Sequence, residues 1–304
     1  MPTPLKLKNR ENRSQDLFDD RPWISDLLKE NSSAIESMKS KLNREQLYQE
    51  NINRYDDIWL LRFILSHRNN LNLAKKAALK TMKFRAEKKL NELGDIRHRL
   101  PTKDPSLEKD MFTVTMKMND CVSYGGYYHT LPDAKRGVIT FMKVEKVDMK
   151  TMGSAISGDD LLDAYIFLNE STFQILDHIT RSTGRLTKQL KCIDFEGARL
   201  RQISMNFVRK DAAINKKLED YYPQMLGMLV VVNAPTWFSN LFKTIRPLLP
   251  RRLLEKIDIL PSMKKLQAKD LDKIFKFISW KNLPERYGGL NVKWPLPQAG
   301  LNFM

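Results

Sequence analysis

Cysteine, histidine and long apolar runs are all scarce in this chain of 304 residues. The two cysteines, Cys121 and Cys192, lie in apolar or strand-like stretches, which predicts free thiols in a reducing compartment rather than a structural disulfide. The four histidines are scattered without metal-site spacing, so we expect no bound metal. No apolar run approaches the roughly 20 residues of a membrane span, and the amino terminus does not resemble a secretory signal. These absences predict a cytoplasmic protein that contacts membranes only peripherally.

Catalytic signatures are missing as well. The sequence contains no GxSxG, HExxH or P-loop pattern. The glycine pair at 125–126 is typical of a turn, and the acidic pairs at 56–57 and 159–160 suit helix starts better than acid–base chemistry. We therefore expect a protein that is not an enzyme and that uses no cofactor.

Acidic residues are outnumbered by basic ones, 36 against 52, which gives a net charge of +16. This excess predicts attraction to polyanions, either nucleic acid or an anionic membrane surface. The basic clusters are spread along the chain, and no RNA-recognition or zinc-finger pattern accompanies them. Nucleic-acid binding is therefore the less favoured of the two, and we expect no nucleic-acid partner.

Helical and strand-like patterns alternate through most of the chain. The helical patterns cover 56–65, 71–90, 159–180 and 203–221, with Asp159 or Asp160 as the expected cap of the third. Short apolar runs predict strands at 111–116, 137–142, 190–195 and 228–232. This alternation predicts an α/β fold with a mostly parallel sheet.

The most informative segment follows the last of these strands. Asn233-Ala234-Pro235 ends the strand because proline cannot continue a ladder, and Thr236 can cap the next helix. That helix interleaves lysine and arginine with large apolar side chains at Trp237, Phe238, Leu241, Phe242 and Ile245. Such a helix is typical of contact with an anionic lipid surface, although an ordinary packed helix gives the same pattern.

Four motifs, in order along the chain, resemble those of a known family. They are Asp56-Asp57 with Leu60-Leu61-Arg62-Phe63-Ile64, then Asp194-Phe195-Glu196-Gly197, then Tyr222-Pro223 with Asn233-Ala234-Pro235 and Arg246-Pro247-Leu248-Leu249, and finally Leu283-Pro284-Glu285-Arg286-Tyr287-Gly288-Gly289. Over residues 52–290 the chain resembles the CRAL-TRIO family of lipid-transfer proteins.

The resemblance implies a CRAL-TRIO fold. A mostly parallel sheet would form the floor of a hydrophobic pocket, and the helix that starts near Thr236, here called the gate helix, would close it. The implied divisions of the chain are a polar N-terminal extension, a small all-helical lobe, a lipid-binding domain and a tail, at 1–50, 51–105, 106–292 and 293–304. The implied ligand is one lipid, exchanged at an anionic membrane surface.

The resemblance also implies residues at the rim of the pocket that contact a lipid head group. Compared with family members that transfer phosphatidylinositol or tocopherol, this chain places Arg68, Gln224, Arg252 and Lys256 at such positions. Spacing of i, i+4 would put Arg252 and Lys256 on one helix face. Leu253 replaces a threonine of the phosphatidylinositol site, so the cargo could instead be a neutral lipid, with an anionic, possibly phosphoinositide, head group sensed outside. A solvated basic face without a ligand is the alternative for the two cations.

Two further questions stay open at the level of sequence. A lipid-sensing regulatory or scaffold module would carry the same motifs as a transfer protein. Lys191, in the middle of a strand, would be costly if buried without a partner. It either meets a lipid head group or lies near the strand's exposed start, and we favour the second.

Overall fold

The computed structural model describes residues 19–96, 117, 118, 120–123, 127–129, 138–260 and 287. The strand predicted at 111–116, the first 18 residues, the tail at 293–304 and most of the motif at 283–289 lie outside the described residues.

The amino-terminal part is a helical lobe. Its helices are α1 (Ile24–Glu30), α2 (Ser32–Leu42), α3 (Gln46–Gln49), α4 (Asp57–Ser66) and α5 (Leu71–Glu87). Ile35, Met38 and Leu42 of α2 are buried against Leu60 and Phe63 of α4 in one apolar core. The segment predicted as a polar extension, 1–50, therefore contains three helices that share the core of this lobe.

Capping side chains fix both ends of the α4–α5 hairpin. The Asp56 carboxylate accepts a hydrogen bond of 3.0 Å from the Trp59 backbone N–H, as expected for an acidic residue at a helix start. Asn70 caps α5 in the same way through Leu73 N–H at 3.1 Å. Between the helices Arg68 and Asn69 adopt φ angles of 50° and 63°, which reverse the chain. The predicted turn at Asn69-Asn70 is thus confirmed, and α5 ends three residues before the predicted Leu90.

The remaining part is the α/β domain. Its strands are β1 (Tyr127–His129), β2 (Ile139–Lys143), β3 (Gln189–Asp194), β4 (Leu226–Val232) and β5 (Ile257–Ile259). Its helices are α6 (Met149–Ala155), α7 (Gly158–Thr183), α8 (Met205–Glu219), α9 (Phe238–Ile245) and α10 (Arg251–Leu254). The strands lie in the order β1-β2-β3-β4-β5, with β1 antiparallel to β2 and all other pairs parallel. The predicted α/β fold with a mostly parallel sheet is confirmed.

Three helix starts differ from the prediction in their first residue or in their cap. Ser157 caps α7 by accepting from Asp160 N–H at 3.0 Å, so neither Asp159 nor Asp160 is the cap. Ser204 caps α8 through Phe207 N–H at 3.3 Å. The gate helix, α9, begins at Phe238 after Trp237 without a side-chain cap, and the prediction that Thr236 caps it is wrong.

One face of the sheet lies against α7, α8 and α9. Strand register places Met142, Ile193 and Val231 side by side on this face, and all three join the apolar core of the domain. Thr140, Lys191 and Leu229 form the next row on the same face, two residues earlier. The helices therefore cover a sheet surface that is apolar at one end and more polar at the other.

The carboxyl ends of β3 and β4 are joined through Asp194. Its carboxylate accepts hydrogen bonds of 2.8 Å from Glu196 N–H, Asn233 Nδ2 and the Tyr287 hydroxyl. Gly197 follows with φ of +75°, a conformation that favours glycine. Residues of three of the predicted motifs thus meet at one carboxylate.

Ion pairs attach the helical lobe to the long helix α7. Arg85 binds Glu170 through two bonds of 2.9 and 2.8 Å, and both side chains are buried. Nearer the exposed surface, Lys88 pairs with Asp163 at 2.8 Å. The Asp56 cap adds a bond of 2.6 Å from Arg181. These ion pairs therefore fix the position of the helical lobe on the α/β domain.

Candidate functional site

A pocket of about 370 Å³ lies between the helical lobe and the α/β domain. The pocket is lined by the end of α4, Asn169 of α7, Lys191 of β3, the end of α8, the loop after Tyr222 and the segment 250–256. The volume falls at the lower end of the roughly 300–1,000 Å³ typical of small-molecule sites. Apolar side chains, among them Leu65, Leu218 and Leu253, alternate with charged ones around it.

All four predicted rim residues line this pocket. Arg68, which is 78% exposed, pairs with Glu255 at 3.0 Å. Gln224, with φ of 60°, donates to the Ser66 hydroxyl at 3.2 Å. The residues come from three segments, with Arg252 and Lys256 on the same one, so the fold brings them together at one opening.

Arg252 and Lys256 differ in how they are held. Arg252 contacts Asp220 at 2.8 Å and Glu219 at 3.4 Å. The prediction that both cations lie on one helix face is wrong, because the short helix α10 ends at Leu254, before Lys256. Within the described part of the chain, no hydrogen bond or ion pair holds the Lys256 ammonium, and burial lowers its pKa. Lys256 is therefore the more available cation.

The charges around the pocket are not balanced. Its lining includes four cations, Arg68, Lys191, Arg252 and Lys256, and two carboxylates, Glu219 and Glu255. Asp220, outside the lining, pairs with Arg252, which leaves a surplus of one positive charge. Burial raises the pKa of Glu219, against the influence of Arg252, and so favours its neutral form. The pocket is thus an amphipathic, positively charged site suited to an anionic group attached to an apolar one.

Sequence reasoning missed the inner end of the pocket. Asn169 and Asn215 line it from two different helices. Lys191 lies there too, half-buried on the central strand β3, and not at an exposed strand start. The strand alternation that placed Lys191 opposite Cys192 was the available signal, but it did not show which face the helices cover.

The gate helix α9 packs inward through its aromatic residues. Phe238 is 5% exposed and lies edge-on to Phe195, with ring centroids 4.8 Å apart. Trp237 contacts the same ring at 5.9 Å, and Phe242 stacks on Phe238 at 5.9 Å. Leu241 is half-buried against the same core. The helix therefore covers the apolar end of the sheet face.

The other side of the gate helix is polar. Asn240, Lys243 and Thr244 are exposed, as is Arg246 just after the helix, while Ile245 is half-buried. None of the five predicted gate side chains is among the residues that line the pocket described above. That pocket is accordingly distinct from the apolar hollow predicted behind the gate.

The residues that the structure describes include neither a membrane-spanning helix nor a metal-binding cluster. None of their helices is long and apolar enough to cross a membrane. Their histidines, cysteines and acidic residues form no cluster able to hold a metal ion. Cys121 and Cys192 are buried free thiols.

The family model of the CRAL/TRIO domain matches residues 123–289, more than half of the chain. The chain belongs to the CRAL/TRIO family. This family consists of proteins that bind and transfer lipids and that are generally not enzymes. The resemblance inferred from the motifs is confirmed.

Curated relatives and a solved structure agree with this assignment. A CRAL-TRIO domain-containing protein of Saccharomyces cerevisiae is 26% identical over 271 residues, which are 88% of this chain and 80% of the relative. The SEC14 cytosolic factor of Candida glabrata is 25% identical, over 84% of this chain and 76% of its own length. The crystal structure of Sfh5 is 14% identical and covers 78% of this chain and 80% of its own, with a TM-score of 0.52, which supports the fold.

Proposed function

We propose that this protein binds one lipid and exchanges it at the cytoplasmic face of anionic membranes, to which it attaches peripherally. The observation that carries the proposal is the pocket between lobe and domain. Its lining includes the four rim residues, which come from three segments of the chain, beside apolar side chains. A lipid needs both environments, because burying its hydrocarbon is favourable at about 0.8 kcal/mol per CH₂ and its head group requires polar partners.

Head-group recognition is assigned to the rim. Lys256 offers an ammonium without a protein partner among the described residues, while Arg68 and Arg252 are already paired with carboxylates. We therefore place Lys256 in direct contact with an anionic head group, such as that of a phosphoinositide. Arg68, Arg252 and Gln224 would position it.

Exchange is assigned to the gate helix. In the structure its apolar side chains Phe238, Leu241 and Phe242 pack on the core. If the helix swings outward at a bilayer, the same side chains can enter the lipid, while Lys243 and Arg246 contact anionic head groups at about 1 kcal/mol each. The apolar face of the sheet would then be open to the incoming lipid.

Phe242→Asp tests this role. A carboxylate in the lipid-inserting face costs energy on insertion, so we expect lipid transfer between phosphatidylcholine vesicles to fall by at least about tenfold. The matched control is Asn240→Asp, which adds the same charge on the exposed side of the same helix. Circular dichroism checks that both variants fold.

Transfer by Phe242→Asp at the rate of the control would remove the gate helix from the mechanism. Normal lipid binding by the wild-type protein, without transfer between vesicles, would favour a lipid-sensing module over a transfer protein.

A further inference from the structure

Lys191 lies where a lysine is unusual, in the middle of the sheet. It is the third residue of β3, and its neighbours in register are Thr140 of β2 and Leu229 of β4. Its side chain is on the face that α7 and α8 cover, in the row next to Met142, Ile193 and Val231. The ammonium therefore reaches the inner end of the pocket from its floor.

The protein does not neutralise this ammonium by direct contact. Among the described residues, no hydrogen bond or ion pair involves the Lys191 side chain. Burial lowers the pKa of Lys191, and the charge of Asp211 only partly opposes this effect. A half-buried ammonium without a contacting counterion is costly in free energy.

Asp211, the nearby carboxylate, is engaged elsewhere. It accepts a hydrogen bond of 2.6 Å from the Tyr165 hydroxyl and one of 3.0 Å from Asn215 Nδ2. Burial raises the pKa of Asp211. The carboxylate is thus hydrogen-bonded to α7 and α8 and makes no hydrogen bond or ion pair with Lys191, which leaves the ammonium able to bind an acceptor from the pocket.

We propose that Lys191 binds the anionic group of the ligand, a carboxylate or phosphate, inside the pocket. The inference rests on the proposed function and narrows its substrate class to acidic amphiphiles. Asn169, which lines the same end, supplies an amide for a remaining oxygen atom of that group, whereas the Asn215 amide already donates to Asp211. The internal site differs from the rim, since Lys191 belongs to the floor of the pocket and Lys256 to its opening.

Paired probes test this assignment. Affinities are measured for fluorescent fatty acid against its methyl ester, and uptake from phosphatidylcholine vesicles is measured for phosphatidic acid against diacylglycerol. We expect the wild-type protein to prefer the acidic member of at least one pair by about tenfold or more, as for a charged hydrogen bond in a partly buried site. The pair that shows the preference identifies the anion as a carboxylate or a phosphate.

Lys191→Met should abolish that preference while leaving the neutral probe's affinity unchanged. The matched control is Lys217→Met on α8, which removes an exposed lysine and should leave the preference intact.

Asp211→Asn should increase the preference for the acidic probe, because it removes the negative charge that competes with the ligand for Lys191. Without ligand, Lys191→Met should also raise the unfolding temperature, which shows that the lysine is kept at a cost in stability.

The outcomes separate this inference from the proposed function. Equal binding of acidic and neutral probes by the wild type, or an equal loss of both in Lys191→Met, would overturn the role of Lys191 and leave lipid binding intact. Failure of the wild type to take up any of the four probes would contradict both.

Discussion

At the scale of single residues, a buried ion pair joins the helical lobe to α7. The Arg85–Glu170 pair is 6% and 2% exposed and carries two bonds between its members. Burial opposes ionisation of Glu170 most strongly, but the charge and hydrogen bonds of Arg85 outweigh it, so the pKa of Glu170 lies below its ordinary 4.5. Removing one partner of such a pair leaves the other charge buried without compensation.

Glu170→Gln should therefore lower the free energy of unfolding by about 3 kcal/mol at neutral pH, as measured by urea denaturation. Asp163→Asn is the matched control, because it removes a half-exposed carboxylate on the same helix that pairs with Lys88. Exposed pairs contribute about 0–1 kcal/mol. Equal losses in the two variants would show that burial does not strengthen the Glu170 pair.

The pH dependence of this loss has a defined sign. A carboxyl whose pKa is lowered on folding contributes stability above its unfolded value, here 4.5, and the contribution disappears as pH falls through the lower folded value. The difference between wild type and Glu170→Gln should consequently shrink in acid, below pH 4.5. A difference that grows in acid would mean that Glu170 is protonated in the folded protein at neutral pH.

At the scale of secondary-structure elements, periodicity and motif order predicted most helices and strands but not their caps. Ser157, Asp159 and Asp160 are all good capping residues, and only the backbone geometry selects Ser157. The α9 helix begins without a side-chain cap, so the strand break at Pro235 placed its start only approximately. The turn after α4 was predictable, because Asn69-Asn70 is typical of a chain reversal.

The segment around α10 allows a test of the rim that separates specific contact from general attraction. Lys256 lines the pocket, whereas Arg251 is 90% exposed and contacts only Glu255, at 3.4 Å, in the described structure. Replacing either by alanine removes one positive charge. On phosphatidylcholine vesicles with a minor fraction of phosphoinositide, we expect Lys256→Ala to weaken binding about tenfold and Arg251→Ala about fivefold or less.

Salt distinguishes the two contributions further. The Debye length falls from about 10 Å at 0.1 M to about 3 Å at 1 M salt, which screens exposed charges more than partly buried ones. The effect of Arg251→Ala should vanish at high salt, and that of Lys256→Ala should persist. If both variants behave alike at every salt concentration, Lys256 acts only as part of a solvated basic face.

At the scale of the whole molecule, the sequence predicted the fold class and the family but not the pocket. The four rim residues were predicted one by one, and their meeting at one opening depends on how the lobe docks on α7. Lys191 could not be placed from the sequence, because the direction of its side chain depends on which sheet face the helices cover. The pairing of Arg252 with Asp220 across the pocket wall was likewise not visible in either segment alone.

The net charge of +16 acts at this scale too. It favours approach to any anionic surface and identifies no ligand. Selectivity has to come from the pocket, where no carboxylate of the described residues contacts the ammonium group of Lys191 or Lys256. The whole surface therefore provides long-range attraction to anionic surfaces, and a few side chains in the pocket recognise the ligand.

The most direct measurement is the lipid content of the protein purified from its native source, determined by mass spectrometry after organic extraction, together with uptake from liposomes. We predict about one lipid molecule per chain, and replacement of that lipid during incubation with liposomes. A purified protein that contains no lipid in stoichiometric amount, and that takes up none from liposomes, would contradict the account.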